Sequence, residues 1–476
     1  MSARPNVVYI MADDMGYGDL GCYGATKIPT PNIDKLAEQG MRFTDAHSSS
    51  AVCTPSRYSV MTGRYCWRTA LKRGVGGGFM SPLIDPGRMT LASMLKSAGY
   101  NTAAVGKWHL GLDYQSYGYT DRGDPLDWKD DGKWDFTKPI LSGPRSLGFD
   151  YFFGISGSLD MPPYCFIENE HTVGIPDQWK EDLQAQQRPG RQVPDWDDYK
   201  VDTTFAEKAV GWLNQVADDD KPFFLYLTPS APHRPCLPPE AFAGASQAGP
   251  RGDMVCMVDW MVGQVMDVLE RTGQADNTLI MLTSDNGARP YDIDGETHGH
   301  KSCGDLRGFK ADIWDGGHRE PLVVRWPGKI QPGSTCDQMV CLMDVMASLA
   351  EILEIDLPDN AAEDSFSFAP ILLEQSDAPA PRDHLVHHSV GGMYSFRQGP
   401  WKMILGLGSG GFSEPRFGRP VAGGPEGQLY HMHDDTAETT NLWQEKPEIV
   451  KDLQDRLRQV IEAGRTRPLE SKPRTF

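Results

Sequence analysis

Short, almost wholly apolar runs alternate with amphipathic stretches through the first two thirds of the chain. That alternation predicts a parallel sheet covered by helices. The runs Val7–Met11, Thr102–Val105, Phe223–Thr228, Leu279–Thr283 and Leu322–Arg325 lack the polar alternation of a half-exposed strand, so they read as strands buried on both faces. Between them, Thr30 stands where it can cap a helix that opens on Pro31 and stops before Gly40. Thr90 can cap a second, with Leu91, Met94, Leu95 and Ala98 on one face and Gly99 at its end. Thr203–Val216 and Met254–Leu269 carry the same helical spacing.

The period breaks twice. From Asp113 to about Lys200, Gly, Pro, Trp and Asp accumulate, and a long insertion of this kind in a compact protein is expected to be functional; its aromatic content predicts an ordered loop. From about Ser365 the texture changes to short strand-like pieces joined by Gly-rich turns: Phe366–Leu373, His384–His388, Met393–Arg397, Lys402–Leu405 and Gln428–His431, then a helix over Pro447–Ile461. The expected fold class is α/β: a large mixed, mostly parallel sheet between helices, with a small C-terminal antiparallel sheet plus helix. The expected division is a large α/β domain over 1–364 and a C-terminal subdomain over 365–476.

Composition narrows the function. The 476 residues can bury a large core, and 23% charged with 39% hydrophobic residues is the balance of a globular protein. A net charge of -19 excludes nucleic acid as the expected partner, because a phosphate backbone needs a basic surface. The same charge repels anionic substrates at long range, so an enzyme of such substrates must gather positive charge locally. No apolar run approaches the length of a membrane span. The N-terminus enters its first strand without a charged-then-apolar leader, so the expected compartment is the cytoplasm as written, or the periplasm or exterior if a signal peptide has been removed. Nine cysteines form no CxxC pair and no regular framework, and all but Cys53 read as small buried apolar side chains.

Candidate chemistry gathers where the predicted strands end, the usual site position in open α/β sheets. Asp13 and Asp14 follow Val7–Met11, and Ser284-Asp285-Asn286-Gly287 follows Leu279–Thr283. Each alone is compatible with turn chemistry. On neighbouring strands they would bring three carboxylates and an amide to one edge, and oxygen ligands of that kind select calcium or magnesium. Cys53-Thr54-Pro55-Ser56-Arg57 sets a thiol at the start of a helix, where backbone N–H groups favour an anion and where a thiol is expected to have a lowered pKa. Lys107 and His109, in Gly106-Lys-Trp-His-Leu-Gly111, and His233, in Ala231-Pro-His233, follow two further strands; Lys310 closes Leu306-Arg-Gly-Phe-Lys310. A divalent cation with Arg57, Lys107 and Lys310 would exceed the three carboxylates by two charges, a local anion trap on an acidic protein.

These segments together resemble the type I sulfatases of the alkaline phosphatase superfamily. The opening Asn6-Val-Val-Tyr-Ile-Met-Ala-Asp13-Asp14-Met-Gly-Tyr-Gly-Asp-Leu-Gly-Cys-Tyr-Gly24 is similar to the family's first strand and metal loop. Cys53-Thr-Pro-Ser-Arg57 matches its C-x-P-S-R activation signature, extended by Thr62-Gly63-Arg64, and the other segments follow in family order to Gln428-Leu-Tyr430 and Glu438-Thr-Thr-Asn-Leu442. Two departures stand out: Phe309 in place of a small residue before the lysine, and His318 in Gly317-His-Arg-Glu-Pro321 where an aliphatic is usual.

The resemblance implies a formylglycine made from Cys53 by a maturation enzyme, with its hydrate on calcium (or magnesium) held by Asp13, Asp14, Asp285, Asn286 and residue 53 itself. It implies attack on sulfur by one hydroxyl of that hydrate, charge stabilisation by Arg57, Lys107 and Lys310, proton delivery to the leaving alcohol by His233 or Lys310, and expulsion of sulfate assisted by His109. The substrate implied is a sulfated glycan or small molecule, with carbohydrate expected first. Trp67, Arg68, Asp160, Tyr164, His298 and His300 lie in loops flanking the motifs and are the candidates for reading a sugar, each also compatible with packing. The alternatives are a phosphonate monoester or phosphodiester hydrolase of the same superfamily, and a catalytically silent sulfated-glycan binding protein. The oligomeric state is not readable from the sequence.

Overall fold

The computed structural model describes residues 4–118, 132–184, 186–291, 295–374 and 378–468. Its first half contributes β1 (Asn6–Ala12), α1 (Pro31–Glu38), β2 (Met41–His47), α2 (Cys53–Thr62), α3 (Leu91–Ser97), β3 (Asn101–Lys107), β4 (Tyr151–Ile155) and the two-residue strands β5 (Ile167–Glu168), β6 (His171–Thr172), β7 (Gln178–Trp179) and β8 (Arg191–Gln192). The second half adds α4 (Val201–Val216), β9 (Phe223–Thr228), α5 (Gly249–Arg271), β10 (Thr278–Ser284), β11 (Arg319–Arg325), β12 (Ser334–Cys336), β13 (Val340–Cys341), α6 (Val345–Ile352) and α7 (Ala369–Glu374). The C-terminal part comprises β14 (His384–His388), β15 (Tyr394–Gln398), β16 (Trp401–Ile404), β17 (Gln428–His431) and α8 (Pro447–Ala463).

The large sheet runs β12-β2-β11-β10-β1-β9-β3-β4-β5-β6, with β13 also on β2. Its centre, β10-β1-β9-β3-β4, is parallel throughout. Only β11 reverses between β10 and β2. Successive residues of β1 point to opposite faces, as strand geometry requires. Val7, Tyr9 and Met11 join one core with Leu91, Met94 and Leu95 of α3 and Val345, Met346 and Leu349 of α6. Val8, Ile10 and Ala12 join the other, with Ile33 and Leu36 of α1, Phe205 and Leu213 of α4 and Val258 and Val262 of α5. This two-sided burial is why the central strands read as continuous apolar runs.

The C-terminal sheet, β14-β15-β16-β17, is antiparallel throughout. Leu385, Val386, Phe396 and Met403 of that sheet bury against Val450, Leu453 and Leu457 of α8, which lie at helical spacing on one stripe. The expected fold class is the observed one.

Four expectations need correction. Phe366–Leu373 is not strand-like: Ala369–Glu374 is helical, and Phe368, Ile371 and Leu372 bury in the core of the large sheet. The apolar run is too short for its period to distinguish strand from helix. The insertion from Asp113 to Lys200 contains a sheet strand, β4, masked in the sequence by Gly154 and by the aromatic-rich loops around it; residues 119–131 and 185 of that insertion lie outside the described residues. β2 was absent from the expected strands because Arg42, Thr44 and Asp45 dilute its apolar pattern. Thr30 precedes α1, but its hydroxyl accepts from Gly21 N at 2.8 Å and makes no bond to the helix's own N–H groups.

Thr90, by contrast, caps α3 as expected. Its hydroxyl accepts from Ser93 N at 3.0 Å, Ser93 Oγ accepts from Thr90 N at 2.8 Å, and the Thr90 hydroxyl also donates to Leu147 O. Losing such a cap costs about 1 kcal/mol. Thr90→Ala is therefore expected to lower the unfolding free energy in urea by about that amount and to leave the fold unchanged by circular dichroism.

Candidate active site

Parallel register brings the motifs together. Ala12 of β1 pairs with Ser284 of β10, so Asp13-Asp14 and Asp285-Asn286 leave the sheet side by side. On the other flank Gly106 of β3 pairs with Thr228 of β9, placing Lys107 and the loop to His233 at the same edge. Gly106 has φ +121°, and a Cβ there would lie 2.0 Å from Thr228 O, so only glycine admits this approach. β2 ends at the same edge and leads through Ser48–Val52 into α2, whose first residue is Cys53. No side chain caps α2, so its N-terminal N–H groups face the pit.

All ten expected catalytic and metal residues converge there, none more than 8% exposed. Lys107 Nζ donates to Asp13 Oδ2 at 2.6 Å and Lys310 Nζ to Asp14 Oδ2 at 2.7 Å. Arg57 Nε donates to Asp285 Oδ2 at 2.8 Å. Asn286 Nδ2 donates to Asp14 Oδ1 at 2.8 Å, and Asp14 N to Asp285 Oδ1 at 3.3 Å. Cys53 Sγ lies 3.5 Å from Asp13 Oδ1 and 3.6 Å from Lys310 Nζ. His233 Nε2 lies 3.7 Å from Asp14 Oδ2. Asp14 and His109 hold φ of +65° and +57°, left-handed conformations that cost free energy outside glycine and cluster at functional sites.

The charges sustain one another. Burial alone would neutralise Asp14, but Lys310, and behind it Lys107, hold its carboxyl well below the usual range. Burial likewise opposes the charge on Lys310, and Asp14 outweighs it, so that ammonium stays protonated. Asp285 is pushed up by burial despite Arg57. Burial also pushes the Cys53 thiol well above its usual range, which reverses the expectation of a lowered thiol pKa. As an unmodified thiol, residue 53 is a poor nucleophile.

The two histidines have readable tautomers. A carbonyl only accepts, so His233 Nδ1, 2.6 Å from Arg234 O, carries a proton and Nε2 turns bare toward Asp14. His109 Nε2 donates to Gly76 O at 2.8 Å, leaving a bare, buried and unpartnered Nδ1. Burial and Lys310 hold His233 down at about 3, and burial with Lys107 holds His109 well below its ordinary value, so both are neutral.

A hard divalent cation fits this donor set. Asp13 and Asp14 offer oxygens within 4.8 Å of each other and of Cys53 Sγ and His233, Asp285 stands one hydrogen bond away, and Asn286 Oδ1 is buried with no partner at all. An orphaned buried acceptor beside three carboxylates is what an oxygen-coordinated ion would satisfy.

The expected substrate residues divide. Trp67 packs on Tyr65 and Tyr394 in the C-terminal core, and Arg68 donates to Asp364 through Nε and Nη2 and to Val460 O; both are taken up by these contacts. Tyr164 is buried, with its hydroxyl on Arg188 O. His298 is exposed. His300 bonds Asp19, which Arg251 also binds, and Arg251 reaches Asp14 O at 2.8 Å, so His300 braces the metal loop from behind. Asp160 is buried beside His233 and paired with Arg188 at 2.7 Å.

Sequence reasoning missed two supports. Asp202 of α4 accepts from Ser230 N and Oγ, both at 2.7 Å, and fixes the loop to His233. Gly76 accepts from His109 while its N–H donates to Thr54 Oγ1 at 3.1 Å. The glycine run Gly76-Gly77-Gly78 was the available signal for a close backbone approach; Asp202 offered none. Arg234 and Arg289 at the mouth also went unread.

A protein-family model described as Sulfatase matches residues 5–355. The chain is 33% identical to the N-acetylgalactosamine-6-O-sulfatase of Bacteroides thetaiotaomicron, over 96% of this chain and 93% of that one. It is 32% identical to human arylsulfatase A, over 84% and 74%. A solved Bacteroides thetaiotaomicron structure from work on the metabolism of multiple glycosaminoglycans superposes with a TM-score of 0.83 at 32% identity, covering 96% of this chain and 99% of the other. No helix among the described residues is long and apolar enough to cross a membrane.

Removing one partner of a buried ion pair costs about 3 kcal/mol. Arg68→Ala is therefore expected to destabilise the protein by about that much while leaving KM for a sulfated sugar within about twofold of wild type. A KM rise of tenfold or more with unchanged stability would return Arg68 to the substrate site.

Proposed function

The chain belongs to the sulfatase family and is a sulfuric ester hydrolase, and from that premise we propose that it cleaves sulfate esters of a carbohydrate through a formylglycine made from Cys53, on calcium. The observation that carries this reading is the buried thiol at the N-terminus of α2, 3.5 Å from Asp13 and 3.6 Å from Lys310, in a pit of paired carboxylates and cations. The substrate class rests on the likeness to an N-acetylgalactosamine-6-O-sulfatase. The phosphodiester and silent-binding alternatives gain no observation of their own.

Asp13, Asp14, Asp285 and Asn286 would hold the calcium, whose chemistry there is to lower the pKa of an oxygen nucleophile and neutralise sulfate oxygens. A formylglycine hydrate at residue 53 would offer one hydroxyl to sulfur and keep a second through which sulfate could leave. Arg57 and Lys107, fixed by Asp285 and Asp13, present buried positive charge to the sulfuryl oxygens without reorganising. Lys310 carries protons beside residue 53, whereas His233 arrives neutral with Nε2 bare; Lys310 is therefore the resting proton donor to the leaving alcohol, and His233 shapes that side of the pit. His109, whose buried Nδ1 is bare, is the residue we assign to take a proton from residue 53. A maturation enzyme is the one partner the mechanism requires.

Release of inorganic sulfate from defined sulfated sugars by protein co-produced with a formylglycine-generating enzyme tests the reading; a phosphate diester hydrolysed faster than every sulfate ester would replace it. Chelation should abolish turnover and lower Tm, because an ion that binds only the folded pit stabilises it by mass action and its removal withdraws that stabilisation; unchanged Tm and turnover after exhaustive chelation would remove the metal. Lys310→Ala should slow a sugar sulfate about a hundredfold more than 4-nitrophenyl sulfate, since only the poor leaving group needs the proton. Equal losses on both would assign Lys310 to charge stabilisation alone.

A further inference from the structure

We propose that the leaving-group side of the pit recognises a second anionic group on the substrate, a carboxylate or another sulfate on the sugar, through Arg289 and Arg234. The inference rests on the sulfate-ester reading of the pit and goes beyond it to the class of saccharide.

The two guanidiniums flank the groups nearest the leaving oxygen. Arg234 directly follows His233, and its carbonyl accepts the hydrogen bond from His233 Nδ1 at 2.6 Å. Arg289 follows Ala288, whose carbonyl accepts from Lys310 N at 2.9 Å, and it leads to Tyr291, which meets Phe309 edge-on at 5.8 Å beside Lys310. His233 and Lys310 both reach Asp14, so their neighbours share one mouth.

Neither guanidinium is adequately balanced. Arg289 lies 5.2 Å from the Tyr291 ring and 5.6 Å from the Phe412 ring, and no carboxylate among the described residues pairs with it. Aromatic faces hold a guanidinium in place while leaving its N–H fork open, and that fork suits carboxylate or sulfate. Arg234 approaches Asp160 only at 3.5 Å, and Asp160 is already bound by Arg188 at 2.7 Å. The Arg234 Nε is buried with no hydrogen-bond acceptor. Burial, Arg289 and Arg188 lower the Arg234 pKa against the pull of Asp160, the sign of cations crowded without enough counter-charge. On a chain of net charge -19, such crowding at the mouth of an anion site marks where a further anion binds.

Phe309, the departure from the family pattern, now has a place: with Tyr291 it builds the wall on which Arg289 rests. A small residue there would remove that support.

Calorimetry on Cys53→Ala protein tests the proposal with three probes: a neutral sugar carrying one sulfate, the same sugar carrying two, and the monosulfated sugar linked to a uronate. At least one doubly charged probe should bind about tenfold or more tighter than the first, with a margin that shrinks as salt rises. The arm that shows the margin names the second group. Arg289→Gln, and separately Arg234→Gln, should cut the margin to about threefold or less. Equal affinity for all three probes, or a margin untouched in both variants, overturns it. Turnover by matured wild-type protein is scored apart: no sulfate released from any probe rejects the sulfate-ester reading, while the binding margins still decide for or against the second anion.

Discussion

Three carboxylates buried at the ends of two adjacent parallel strands set the terms for everything else in this protein. Asp13, Asp14 and Asp285 have at most 1% exposure, and the register of β1 on β10 forces them together. Charges buried this way persist only with partners. Lys107, Lys310 and Arg57 supply those partners from three other segments, one to each carboxylate. The six groups cancel as they stand, so a divalent cation would leave the pit with two positive charges. Charge balance thus links folding to the proposed chemistry: the same pairs that make the carboxylates tolerable hold the cations fixed in the pit.

The C-terminal sheet belongs to this scheme as a clamp. Arg397 of β15 grips Asp45 of β2 with both edges of its guanidinium, each at 2.8 Å, and Asp45 also accepts from His47 at 2.9 Å. Lys402 of β16 binds Asp315 at 2.7 Å and Glu438 at 2.8 Å. β2 leads into Cys53 and Asp315 follows Lys310, so these ties fix two segments that reach the pit. His318, the second departure from the family pattern, stacks on His387 of β14 at 3.7 Å and bonds His47 at 3.1 Å. It serves this joint.

The parallel core and the pit were legible because each rests on a local signal. Strands buried on both faces leave continuous apolar runs, and strand ends leave polar clusters directly behind them. What stayed hidden depends on contacts distant in sequence. β2 and β4 are strands by virtue of their neighbours, which override weak local patterns. Trp67 and Arg68 sit next to a motif in sequence but turn toward Tyr394, Asp364 and Val460 in space. The tautomers of His109 and His233 depend on carbonyls of Gly76 and Arg234, which no residue pattern specifies. The guanidiniums at the mouth are single residues in loops, where spacing carries no period to read.

Burial that raises the Cys53 thiol, within reach of Asp13 and Lys310, makes the identity of residue 53 the centre of the account. A sulfur nucleophile would leave a thiosulfate ester with no second hydroxyl on that carbon to expel sulfate. A hydrated aldehyde has one. Mass spectrometry of the residue 53 peptide, read beside turnover in the same preparations, tests this most directly. The predicted result is a peptide lighter by the exchange of sulfur for oxygen and the loss of two hydrogens, in a fraction that scales with activity across preparations. Full turnover by protein whose Cys53 thiol is intact would contradict it.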